Sequence, residues 1–192
     1  MMGRTGILRS EAIYMSAGSK WYHVNGNTYG TWLHGDRRGW RSRHGRDHCT
    51  GDYKNPPAAG MYDRLEEYSR NIMKAEPVVL TVVQRGAACD AMLEKFIACG
   101  VKVIALSVGA KHYHILAQFP DARVRHWVGL AKKSSSRILG KFGLPGRVWA
   151  RKCRALPIVD RSHQVNTFEY ILAHRQQGSR VWTFRDGPLE TG

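Results

Sequence analysis

Acidic side chains are scarce in this chain: 15 aspartates and glutamates stand against 30 lysines and arginines in 192 residues. The resulting net charge of +15 and isoelectric point near 10.1 point to a polyanionic partner, with nucleic acid the first candidate. Long apolar runs are missing too. No stretch approaches the roughly 18 consecutive apolar residues of a spanning helix. The basic residues are spread along the chain rather than gathered on one amphipathic helix, so a membrane partner is set aside. Cysteine is sparse. Cys49, Cys89, Cys99 and Cys153 form no C-x-x-C pair, which argues against a disulfide framework or a zinc ribbon and fits a reducing, cytoplasmic compartment. Residues 1–20, MMGRTGILRSEAIYMSAGSK, lack the apolar centre of a signal peptide and read as a flexible extension. Neither G-x-x-x-x-G-K-S/T nor G-x-G-x-x-G occurs, the segment "LGKFG" being too short for the first.

What is present suits one globular domain over residues 21–185, followed by a tail at 186–192, because a hydrophobic content of 43% suffices to bury a core. Trp21 to Thr31 has the aromatic and β-branched content of a strand ending in a glycine turn. A basic loop insertion occupies about 35–71, and its heart, "DRRGWRSRHGRDH", makes Arg37, Arg38, Arg41 and Arg43 candidate DNA contacts. Leu65, Tyr68 and Ile72 space a helix over 62–74, Pro77 stops it, and Val78 to Gln84 reads as a strand before a helix from Asp90 to Ala98. A β-hairpin follows, "VKVIALSVG" and "HYHILAQF" joined around Gly109 to Lys111. Asp121 is the expected cap of a helix through residue 143, on which Lys132, Lys133 and Arg137 are further DNA-binding candidates. "RVWARKCRALPI" reads as another strand. A last helix, capped by Asp160 or Ser162, runs through Gln177 to Gly178. This order favours an α+β domain with an antiparallel sheet covered by helices.

Within the hairpin, "KHYHILA" places two imidazoles in an otherwise apolar strand. Strand side chains alternate, so His112 and His114 share one side while Tyr113 points to the other, and two nitrogen ligands lie within reach of one cation. On the last helix, Val165, Phe168 and Leu172 fall on one side, and His163, Thr167, Tyr170, His174 and Gln177 on the opposite one. Tyr170 and His174 are therefore neighbours. Two strand imidazoles, a helical phenol, a third imidazole and a basic chain together resemble a metal-assisted phosphodiester-transfer site.

The H-hydrophobic-H strand, the "YILAH" helix beginning 56 residues after His114, "RVWARK" between them and the early "NTYGTWLHGDRRGW" resemble the single-tyrosine HUH transposases. The likeness runs from about Tyr22 to Trp182 and is strongest to the transposases associated with repetitive extragenic palindromes. It implies a ferredoxin-like sheet, a divalent ion (Mg²⁺ or Mn²⁺) held by His112 and His114, and Tyr170 as the nucleophile that forms a 5′-phosphotyrosine. It further implies single-stranded DNA ends bearing hairpins as substrates, action in the cytoplasm at the nucleoid, and leaves a homodimer open. In relatives the third metal-binding side chain is often an amide. This chain has His174 one turn beyond Tyr170, which makes it the expected third ligand, with Gln177 or His163 as alternatives. Two other functions remain open: a catalytically idle nucleic-acid-binding module that stacks bases on Trp32, Trp40 and Tyr53, and a replication-initiator or relaxase-like nicking enzyme using the same chemistry.

Overall fold

The computed structural model describes residues 20–40, 48–50 and 55–187. In chain order its elements are β1 (Trp21–Asn27), α1 (Asp63–Asn71), α2 (Val82–Ala98), β2 (Lys102–Val108), β3 (His112–Gln118), α3 (Val124–Gly140), β4 (Arg154–Pro157), α4 (Arg161–Ala173) and β5 (Arg180–Thr183). The five strands form one antiparallel sheet in the order β4-β1-β3-β2-β5. The run β1-α2-β2-β3-α3-β4, with β1 and β3 central, is the split βαβ topology of a ferredoxin-like fold. β5 extends it at the edge of β2. The expected α+β architecture and its ferredoxin-like sheet are thus present.

Parity along β3 divides the molecule into two sides. Tyr113, Ile115 and Ala117 enter the main core, where they meet Met92 and Phe96 of α2 and Val128, Ala131 and Leu139 of α3. The buried residues of α3, Val124, Val128, Ala131, Ser135 and Leu139, recur every three or four positions and so form one stripe facing the sheet. The opposite face carries Leu116, which joins Ala105, Val181 and the α4 residues Phe168 and Ile171 in a second, smaller cluster. His114 and His112, two and four positions back from Leu116, therefore open toward α4. Gly26 lies opposite Tyr113 in the ladder, where a Cβ would sit 2.6 Å from the Tyr113 hydroxyl, so the tyrosine ring crosses the glycine to pack edge-on against Trp149.

Several boundaries differ from expectation. Val78 to Gln84 is not a strand, and α2 begins at Val82 rather than Asp90. Four valines favour β structure there, yet Thr81 and Gln84 form a capping box: the Thr81 hydroxyl accepts from Gln84 N at 3.3 Å and the Gln84 amide oxygen accepts from Thr81 N at 2.9 Å. Asp121 does not cap α3. Its carboxylate accepts from Arg123 N at 2.8 Å and from the Trp127 ring N–H at 2.9 Å, one turn before the helix is established. Of the strand expected over 147–158 only β4 pairs continuously with β1, apart from a single bridge between Thr28 and Trp149. The helix expected over 62–74 is the shorter α1, so the basic excursion after Gly35 ends in ordered helix.

At α4, Asp160 rather than Ser162 is the cap, its carboxylate accepting from His163 N at 2.7 Å. The helix tightens into a 3₁₀ turn over His174–Gln177 and stops at Gly178, whose left-handed φ of 74° lets the chain reverse into β5. Its seating differs from the expected stripe. Thr167, Phe168 and Ile171 are buried, while Val165 is exposed, because polar and apolar residues are spread almost evenly round this helix and leave its contact line ill-marked. Among the described residues no helix is long and apolar enough to cross a membrane.

Candidate metal and nucleophile site

β3 delivers His112 and His114, and the end of α4 lowers His174 onto them. One ring nitrogen from each of the three lies within 4.8 Å of the others. His114 and His174 are buried, with their ring centroids 4.6 Å apart. Tyr170 sits one turn before His174. Its ring lies 4.8 Å from that of His174 and 5.2 Å from that of His114, and the residue is 51% exposed. The phenol thus stands at the rim of a largely buried imidazole cluster.

A fourth histidine completes the arrangement. His23 Nε2 is 3.1 Å from His114 Nδ1, and its ring lies 6.0 Å from that of Tyr170. Sequence reading missed it. The only available signal was parity within "WYHVN", which puts His23 on the same face of β1 as Trp21 and Asn25, and the register Asn25↔His114 brings that face over the site.

Burial favours the neutral form of His23, His112 and His114. It pushes the His114 pKa down to about 2, aided by His174, His112 and His23. Burial likewise lowers His23 to about 4, helped by His163, Arg154 and His174. His112 is lowered by burial first, then by His174 and Arg38. Neutral imidazole is the ligand form. His174 Nδ1 lies 2.9 Å from the Tyr170 carbonyl, and since a carbonyl only accepts, that nitrogen donates and Nε2 is the ring nitrogen left to serve a cation. His114 has Nδ1 engaged by His23, which leaves its Nε2 for a cation. Metal-bound histidines typically have one nitrogen tied to an oriented partner in this way, so the residues present fit a divalent ion.

The remaining candidates are dispersed. Arg38 is clamped by Asp36, donates to the Thr31 carbonyl at 2.7 Å and lies over the Trp32 ring at 4.7 Å. Arg37 and Arg38 line a cavity of about 590 Å³ with Pro56, Pro57 and Tyr62. Arg41, Arg43 and Tyr53 lie outside the described residues. Trp32 is exposed, whereas the Trp40 ring packs edge-on against Tyr62. Lys133 and Arg137 are exposed on α3, which covers the side of the sheet away from the histidines. Lys132 is partly buried, and its ammonium donates to the Ala150 carbonyl. His163 is not a member of the histidine cluster, its Nδ1 accepting instead from Val159 N at 3.4 Å, and Gln177 is exposed on the 3₁₀ turn.

No family model and no curated protein matches the chain. Among solved structures, a REP-associated tyrosine transposase bound to a REP hairpin is a neighbour over 88% of this chain and 74% of its own. The identity is 13% and the TM-score 0.49. A likeness so distant transfers no chemistry, and the functional reading stands on the site's own geometry.

Proposed function

We propose that the chain is a metal-dependent single-stranded DNA transesterase of the HUH type, a transposase that nicks and joins hairpin-bearing ends through a 5′-phosphotyrosine at Tyr170. The observation that carries this reading is the half-exposed phenol of Tyr170 held against the rings of His114 and His174, the two buried members of a three-histidine cluster.

The chain's own residues have separable roles. Asp160 caps α4, and Phe168 and Ile171 seat it on the sheet, so the direction from which Tyr170 approaches is set by packing rather than by a loop. The Tyr170 oxygen attacks phosphorus and loses its proton, the bond to the 3′ oxygen breaks, and that oxygen leaves as a 3′ hydroxyl. One phosphodiester replaces another, so a 3′ hydroxyl can reverse the step without nucleotide hydrolysis. His112, His114 and His174 would hold the divalent ion, which supplies Lewis-acid polarisation of the scissile phosphate. The charge of +15 draws the strand in. Residues 21–185 form the catalytic unit, working on DNA in the cytoplasm at the nucleoid. Incubation with a hairpin-tipped single strand and Mn²⁺ should give a protein–DNA adduct that survives denaturing electrophoresis and is lost with a chelator. An adduct-free reaction across Mg²⁺ and Mn²⁺ titrations contradicts the reading.

A further inference from the structure

A cavity of about 370 Å³ lies on the same face of the sheet as the histidines, beneath the first turns of α4 and beside the 3₁₀ turn Phe184–Asp186. Nothing in the chemistry above uses it. Trp21, Phe168 and Phe184 provide aromatic walls, and Lys102, Arg161 and Arg185 bring three cations to the lining, against the one carboxylate of Glu169. The Arg185 guanidinium lies 5.2 Å from the centre of the Phe168 ring and 5.6 Å from that of Phe184. Phe184 is 57% exposed.

Its position is the second observation. Trp21 precedes His23 on β1 by one same-face step, Leu116 follows His114 on β3 by another, and both line the cavity. Such a step is about 7 Å along a strand. Glu169, next to Tyr170 in the chain, lines it as well. The cavity thus begins about one strand step from the cluster that faces the nucleophile. An apolar side chain or a lipid tail would match its walls but gain nothing from the three exposed cations at its edge. A nucleobase on a phosphate backbone satisfies both, its ring faces meeting the aromatics while flanking phosphates meet the cations.

We propose that this cavity receives one unstacked base of the single-stranded DNA whose scissile phosphate lies at Tyr170, held chiefly by its ring faces. The assignment rests on the function proposed above for its substrate, and it can be tested without any cleavage. The probes are deca(deoxyadenylate) and a strand of equal length in which every sugar is abasic, so that phosphate charge is the same and binding register is immaterial. The full-length protein should prefer the base-bearing strand by at least about tenfold in metal-free equilibrium binding. Phe184→Ala should narrow that ratio severalfold and leave affinity for the abasic strand unchanged, whereas Phe184→Tyr should keep it. In parallel, a strand carrying 5-iododeoxyuridine should photocrosslink to Trp21 or Phe184 of the unmodified protein.

The proposal is overturned if Phe184→Ala leaves the ratio intact, if Phe184→Tyr lowers it equally, or if crosslinks fall only elsewhere. It is also overturned if Phe184→Ala alters self-association in sedimentation and nothing else, the slot then being a surface for a second copy. Because neither assay needs metal or covalent chemistry, a protein that binds as expected yet forms no adduct refutes the catalytic reading and leaves the base slot standing.

Discussion

His174 owes its orientation to the nucleophile's own backbone, since its Nδ1 proton is given to the Tyr170 carbonyl. Replacing it with alanine should raise the metal concentration needed for adduct formation by about 10–100-fold while leaving metal-free DNA affinity unchanged. His174→Gln should move the preference from Mn²⁺ toward Mg²⁺, because an amide oxygen suits the harder ion. An unaltered metal titration for the alanine variant would make His174 a mere neighbour of the phenol. A second consequence concerns acid. Folded His114 titrates near 2 and folded His23 near 4, against 6.5 for a free imidazole. Below that value the unfolded chain takes up protons that the folded protein refuses, so stability falls as pH is lowered. Between pH 6.5 and about 4 each of the two contributes a slope approaching about 1.4 kcal/mol per pH unit. Below that window His23 protonates in the folded state too. Urea midpoints in chelator should show this fall, and His114→Gln should flatten it; a level profile from pH 7 to 4.5 contradicts the neutral cluster. That His112 and His114 share a face and that Tyr170 neighbours His174 was legible in the sequence because strand parity and helical spacing are local. His23 was not, because its bond to His114 spans 91 positions and exists only once β1 and β3 pair.

At the scale of elements, propensity misled where a local hydrogen-bond pattern competed with it. Val78, Val79, Val82 and Val83 favour a strand by side-chain shape, but the capping box at Thr81 and Gln84 starts α2 in their midst. β5 went unread because its four residues are too few to show alternation. The basic helix α3 was legible as a helix, but the roles of its cations were not. Lys132 spends its ammonium on the Ala150 carbonyl and ties α3 to the chain entering β4. Lys132→Ala should therefore cost on the order of 1–3 kcal/mol in chemical denaturation. Lys133→Ala and Arg137→Ala should leave stability nearly unchanged and flatten the dependence of DNA affinity on salt by about one charge each. If Lys132→Ala flattens the salt slope without loss of stability, its ammonium is a DNA contact after all.

The whole molecule is a sheet with two unlike faces. Two helices, α2 and α3, seal one face with the larger core, and α4 covers the other only in part, so the face that carries the histidines is also the face with room for a substrate. Element order and the hairpin made an α+β plan with an antiparallel sheet covered by helices readable in the sequence, and its ferredoxin-like form was implied only by the family resemblance. The tilt and rotation of α4 were not readable, because its even spread of polar and apolar residues does not mark its buried side. The account turns on whether the phenol at that rim is a nucleophile. The most direct measurement is covalent adduct formation with hairpin-tipped single-stranded DNA and Mn²⁺, comparing the unaltered chain with Tyr170→Phe and with Tyr113→Phe, whose ring faces the opposite core. The account predicts an adduct mapped by mass spectrometry to Tyr170, retained in Tyr113→Phe and abolished in Tyr170→Phe, with DNA binding by Tyr170→Phe nearly unchanged. Adduct formation by Tyr170→Phe at the unaltered rate would contradict it.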